Sequence, residues 1–255
     1  MKRSIFLAIL FCLAFTSLCF ALAINIDPPS VRLSIKPGDQ QSGDIIVMNA
    51  GSSPIKIKAY VNDWIYANDG SKDFMKPGSS VYSCSNWIKL DPTSFDLSPK
   101  QDKKVHYVIT APKTSSGGHV SVIFFESQIG KTDVIAVSGR IGSVIYVDTE
   151  GDSLRNGSLG PITVSGSRES DKISISVPFS NKGNTFMSEK ADISVFKDDK
   201  LVAGGPINPV KTLPGDTRSA VLTLEPLQEG NYKVKVQLSD NQNTFKSQVD
   251  LSIKK

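Results

Sequence analysis

Two histidines and three cysteines are all the soft metal ligands and strong nucleophiles that 255 residues hold. His106 shares an alternation face with Lys104, which predicts a solvated surface histidine. His119 follows Gly117-Gly118 and opens an apolar run, the position of a polar residue at a strand end. Neither has the further His or Cys that a zinc site needs at fixed spacing. Cys84, close to Trp87, reads as a buried thiol that packs like a small hydrophobe. Gly130-Lys131-Thr132 matches the end of a phosphate loop, but Phe125 stands where the first glycine belongs. The segment also reads as a hairpin turn instead of a strand-to-helix junction. Asp63, Asp69 and Asp73 lack the tight oxygen-rich spacing of a calcium loop and are expected in a solvated one. No G-x-S-x-G, H-E-x-x-H or C-x-x-C pattern occurs. The expectation is a protein that is not an enzyme, with no cofactor and no metal.

With 39 % hydrophobic and 21 % charged residues, the composition is that of a folded globular chain and excludes a disordered, collagen-like or polytopic membrane class. Lys2 and Arg3 precede an uncharged run from Ile5 to Leu22, and Ala21-Leu22-Ala23 is a small-residue exit. That pattern predicts a secretory signal peptide over 1–23, cleaved after Ala23; a retained anchor over Ser4 to Ala23 is the competing reading. Cleavage removes two of the four units of net positive charge, together with Cys12 and Cys19. Cys84 then stands alone, so no intrachain disulfide forms. No clustered basic patch remains for nucleic acid, and no second apolar run is long enough to span a membrane. The mature chain is expected to be soluble and periplasmic or extracellular.

Short apolar alternations separated by Gly, Pro, Asn and Asp run along the rest of the chain, with no long helical period. Ile24 to Ile35 reads as one strand bent by Pro28-Pro29, and Asp44 to Asn49 as a short one. Ile55, Ile57, Ala59 and Val61 alternate with Lys56, Lys58 and Tyr60; a loop then runs from Asn68 to about Ser83. Trp87 to Leu90, the alternation around Val105, Tyr107 and Ile109, Gly118 to Glu126 and Asp133 to Val147 complete a first unit, 24–149. Polar residues after Asp148 suggest a linker. Ile173 to Phe179, Ile193 and Val195, Ala220 to Leu224, Tyr232 to Leu238 and Phe245 to Leu251 form a second unit, 150–255. The predicted class is all-β: two tandem immunoglobulin-like β-sandwiches after a cleaved signal peptide.

Several patches of the first unit resemble the PapD-like periplasmic pilus chaperones. They are Pro29-Ser30-Val31-Arg32-Leu33 with Pro37-Gly38, and Ile46-Val47-Met48-Asn49 with Pro54-Ile55. Phe95-Asp96-Leu97-Ser98-Pro99 leading into Val105 to Ile109, Gly118 to Ser127 and Val134 to Tyr146 follow in the same order. In the second unit, Val177 to Asn184 and Leu213 to Arg218 resemble bacterial Ig-like partner domains. The resemblance implies donor-strand complementation, in which the last strand of the first unit lends alternating apolar side chains to an incomplete subunit. The candidate donor residues are Val134, Ile135, Val137 and Ile141, interrupted by Gly139. Val134 to Val137 is apolar on both faces, which a strand with one wet face is not. Leaving such side chains in water forgoes roughly 1.5–3 kcal/mol each, so a partner or the second unit should cover them. The family also holds a subunit's terminal carboxylate on a basic pair. Here those positions fall near Ser30 and at Gly142 or Ser143, with Arg32 and Arg140 close by as the candidate carboxylate anchor.

Two functions follow as expectations. One is an exported chaperone or assembly protein that binds pilin-like or other surface subunits by β-strand addition. The other is a structural or adhesive envelope module without chaperone activity. The partner's identity, any usher and the oligomeric state stay open.

Overall fold

Apolar residues at every second position put one face of each strand inward, and the computed structural model shows where those faces meet. It describes residues 24–67, 69–128, 138–166 and 172–253. The segment read as a signal peptide, the donor candidates Val134, Ile135 and Val137, and the Gly130-Lys131-Thr132 turn lie outside the described residues. Among the described residues no helix is long and apolar enough to cross a membrane.

The first sandwich is built from β1 (Ile24–Asp27), β2 (Ser30–Ile35), β3 (Gln40–Asn49), β4 (Ile55–Tyr66), β5 (Lys72–Met75), β6 (Ile88–Asp91), β7 (Ser94–Leu97), β8 (Asp102–Thr110), β9 (Gly118–Gln128) and β10 (Ser138–Thr149). One sheet has the order β1-β3-β8-β6; the other runs β2-β10-β9-β4-β5, with β7 also on β4. Ile45, Val47, Val105 and Ile109 of the first sheet close on Ile57, Ile123, Phe125 and Ile145 of the second, all fully buried. Each such side chain withdrawn from water contributes roughly 1.5–3 kcal/mol.

The second sandwich comprises β11 (Gly157–Leu159), β12 (Thr163–Ser165), β13 (Ile173–Asn181), β14 (Met187–Lys197), β15 (Lys200–Thr212), β16 (Thr217–Leu224), β17 (Gly230–Ser239) and β18 (Thr244–Ile253). β13 pairs with β11, β12 and β16; the facing sheet has the order β15-β14-β17-β18. Ile175, Val177 and Phe179 pack on Ile193, Val195 and Val234.

Four sequence expectations change. Ile24 to Ile35 is not one bent strand: β1 pairs with β3, whereas β2 pairs in parallel with β10 in the other sheet. The stretch predicted as a loop after Asn68 contains β5, paired on β4. Asp63 is not solvated but fully buried on β4, where it accepts bonds from the Ser80 N–H at 2.9 Å and the Ser83 hydroxyl at 2.6 Å. The short strand read over Asp44 to Asn49 starts earlier, as β3 from Gln40.

A third apolar cluster joins the sandwiches. Trp64, Val120, Val122 and Phe124 stand on the outer face of the first sandwich, and Phe186 and Leu213 of the second complete the cluster. Tyr146 stacks on Phe186 at 4.3 Å, and the Tyr82 hydroxyl donates to the Pro214 carbonyl at 2.7 Å. The Gly118 N–H donates to the Asn184 carbonyl at 2.7 Å. A Cβ on Gly118 would lie 2.6 Å from Thr185 Cα, a backbone atom that cannot turn aside. Gly118→Ala is therefore expected to part the sandwiches at this point, costing about 1–3 kcal/mol in a denaturant titration. Faster exchange of the amide at position 118 is the local sign.

Candidate functional site

β10 has two edges with different fates. Along one, it pairs with β9 without a break, from Ser138 opposite Gln128 to Asp148 opposite Gly118. Along the other, β2 accompanies it only from Val144 to Thr149. The reason lies in the sequence Asp27-Pro28-Pro29. β1 belongs to the opposite sheet, and the chain crosses over through two residues that have no N–H to offer a ladder. The crossing is fastened where the Ser143 hydroxyl donates to the Pro28 carbonyl at 2.8 Å and the Val144 N–H to the Pro29 carbonyl at 3.1 Å. Upstream of that fastening, Ser138 to Gly142 has no strand on this edge among the described residues.

Strand geometry says which groups are free. Backbone N–H and C=O groups point to alternate edges with period two. The Val144 N–H points to the β2 side, so Gly142 and Arg140 turn their N–H and C=O to the unpaired rim. Their pairing with β9 is in unbroken register, so the alternation carries through.

The outer face beside this rim is aromatic. Arg140 lies over the Phe124 ring at 4.4 Å and the Phe74 ring at 5.4 Å. Phe74 and Phe124 meet edge to face at 4.8 Å, and Phe74 stays 40 % exposed. The Tyr60 hydroxyl donates to Glu126 Oε2 at 2.8 Å, and burial holds its pKa above the ordinary phenol value. Gly142 sits directly opposite Phe124, and a Cβ there would come within 2.6 Å of Val122 Cγ2 and 2.9 Å of Phe124 Cε1. The glycine lets the Phe124 ring lie over the strand.

The two candidate anchor arginines share that outer face but not a site. Arg32 is registered with Tyr146, six positions beyond Arg140 along β10. At about 3.3 Å per residue the separation is about 20 Å. Arg32 is also engaged: it stands 3.8 Å from Asp148, donates to the Phe186 carbonyl at 3.2 Å and covers the Phe186 ring at 4.9 Å. Burial lowers its pKa, against the opposing pull of Asp148. Arg140 lies over aromatic rings beside the Tyr60 hydroxyl and opposite Glu126 on β9, with no ion pair to a carboxylate within 4.0 Å among the described residues. Of the donor candidates, Ile141 is half-buried and packs against the first core.

The remaining chemistry candidates are structural. Cys84 is fully buried, its backbone N–H and thiol both on the Ser121 hydroxyl, and burial pushes its pKa up to about 12. His106 is exposed and 2.9 Å from Asp44. His119 stacks on Trp87 at 4.3 Å, and burial lowers its pKa. Among the described residues no three His, Cys, Asp or Glu side chains are grouped to hold a metal ion. The aromatic cluster had a readable signal, since Val120 to Phe125 is apolar on both faces apart from Ser121.

No family model matches the chain, and no curated protein matches it. Solved structures do. The YadV chaperone is 14 % identical, with 89 % of this chain and 99 % of that one aligned at a TM-score of 0.47. The CupB2 chaperone of Pseudomonas aeruginosa is 10 % identical over 90 % of this chain and 100 % of its own, at 0.42. The CsuC–CsuE chaperone–tip adhesion subunit pre-assembly complex of Acinetobacter baumannii gives 11 % identity, 91 % and 100 % coverage and 0.43. What this molecule does has to be read from its own geometry.

Cys84 should be inert to a thiol reagent at about pH 8 in the native protein and react fully in denaturant, because reaction needs the thiolate. Gly142→Ala should cost about 1–3 kcal/mol of stability by chemical denaturation, since the Phe124 ring must move.

Proposed function

We propose that the chain is an exported, non-catalytic binding protein that captures secreted β-rich subunits by strand addition to β10. The observation that carries this is the free rim from Ser138 to Gly142, on a strand whose other edge is fully paired. A protein normally blunts such an edge, because unpaired N–H and C=O groups in a row are a template for another chain. Here the rim has no proline and no bulge, and its upstream neighbours include Val134, Ile135 and Val137. Backbone bonds at Arg140 and Gly142 supply affinity, and apolar side chains on alternate positions supply specificity. The partner class, pilin-like or other surface subunits, is the one the sequence resemblance implies. On this reading the mature protein works in the periplasm or beyond it. It consists of a strand-adding module, 24–149, and a second sandwich, 150–255, that docks on the outer face of the first.

The arginine on the rim gives the test. Arg140→Pro removes one rim N–H without touching a β9 bond, because that N–H points away from β9. Arg140→Ala keeps the N–H and removes the charge. The probe is an exported pilin-like subunit lacking its own final strand, titrated against the purified mature chain. The proline variant should bind about 5- to 150-fold more weakly, one lost hydrogen bond with its desolvation being about 1–3 kcal/mol. The alanine variant should lose less, and amide exchange at Gly142 should slow on binding to the wild type. Equal capture by the proline variant, with the fold intact, removes the strand-addition reading and leaves the envelope module.

A further inference from the structure

Where the sandwiches meet, an ion-pair network stands against an orphaned acid. Arg155, in the segment between β10 and β11, donates Nη2 to Asp148 at 3.1 Å and Nη1 to the Phe186 carbonyl at 3.2 Å. The same Nη1 is 3.7 Å from Asp240 Oδ2, in the turn between β17 and β18. Arg32 adds its own contacts to Asp148 and to the Phe186 carbonyl, and the Thr185 hydroxyl donates to Asp148. Arg155 thus ties the end of β10 to the second sandwich.

Glu189, on β14, is 0 % exposed. Neither of its carboxylate oxygens has a hydrogen-bond partner, and the buried Thr212 hydroxyl of neighbouring β15 has none either. Its place in the alternation is an inward one, between Met187 and Ala191. Lys190 and Lys211, the nearby lysines of β14 and β15, are exposed and turn the other way. The charges that act on Glu189 are Asp240 and Arg155, with Asp148 and Arg32 behind Arg155.

A neutral carboxylic acid can stay in that position. A carboxylate cannot remain buried without donors; it must draw in a cation or water. The cation within its influence is Arg155, one of the polar ties between the two sandwiches, beside the apolar cluster and the Arg32 contacts. We propose that Glu189 is a proton-operated latch on the contact between the sandwiches: protonated, it leaves Arg155 on Asp148, and ionised, it draws Arg155 away so that the sandwiches loosen. The proposal stands apart from strand addition and survives its failure.

The direction agrees with the electrostatics. Burial first, then Asp240, raises the Glu189 pKa to about 7, with Arg155 opposing. The folded state therefore holds this proton more tightly than the unfolded chain does. The stabilisation is full below the ordinary value of 4.5 and is lost as pH rises through about 7.

The test uses the whole mature chain with spin labels on Lys103→Cys of β8 and Gln248→Cys of β18, both exposed positions. Distances between them are recorded from about pH 5.5 to about pH 8.5, a range in which buried Cys84 stays unlabelled. The wild type should show one narrow distribution at the acid end that broadens with a midpoint near pH 7. Glu189→Gln, neutral at every pH, should stay narrow throughout. Asp240→Asn, which removes the like charge, should move the midpoint to lower pH. A wild-type distribution that does not change, a transition retained in Glu189→Gln, or a midpoint unmoved by Asp240→Asn each overturns the latch.

Discussion

Every backbone N–H and C=O in a sheet needs a partner, and among the described residues β2 supplies one along only part of one edge of β10, from Val144 to Thr149. Pro28 and Pro29 set that limit. They carry the chain from β1 in one sheet to β2 in the other and cannot themselves continue a ladder. Had β2 begun several residues earlier in register, the rim at Arg140 and Gly142 would be filled by the protein's own backbone. The fastening through Ser143 and Val144 places the end of β2 and so fixes where any foreign strand has to stop.

Other edges in the structure are treated differently. β15 lies at the edge of its sheet over thirteen residues, but Pro206 and Pro209 remove donors and Gly204 and Gly205 break its regularity. β5, at the end of the sheet that contains β10, is only four residues long. Short, proline-bearing and irregular edges resist pairing with other chains. The rim on β10 carries none of these defences.

The sequence made much of this legible and left the decisive part hidden. Alternation in Ile55 to Val61, in Ile173 to Phe179 and in Tyr232 to Leu238 fixes which side chains face inward, and the structure buries the inward set almost without exception. The free rim could not be read, because it depends on a parallel pairing between residues more than a hundred positions apart. The split of Ile24 to Ile35 between two sheets has the same origin. Arg32 and Arg140 each stand near a position that the resemblance implies, yet they are far apart along the strand, since sequence spacing says nothing about which residues share a register. Glu189 has a local signal: it is a charge at an inward position of an otherwise apolar alternation.

The outer face of the second sheet explains why rim and junction belong to one surface. A sheet face turned to water should be polar, yet this one carries Tyr60, Trp64, Tyr66, Phe74, Phe124 and Tyr146. The second sandwich covers part of it with Phe186 and Leu213, and Arg218 lies 4.3 Å over Tyr66 while donating to the Ala67 carbonyl at 2.7 Å. Lys72 lies over Trp64 and Tyr66, and Arg140 over Phe74 and Phe124. A cation on an aromatic ring is worth about 0.5–1 kcal/mol when exposed and about 2 or more when desolvated. Arg140 is the exposed case, so its contact gains strength if water is excluded around it. A strand laid along Ser138 to Gly142 would do that by shielding the guanidinium from the rim side. The backbone rim and the aromatic end of the face would then act on the same guest, one through hydrogen bonds and the other through desolvation.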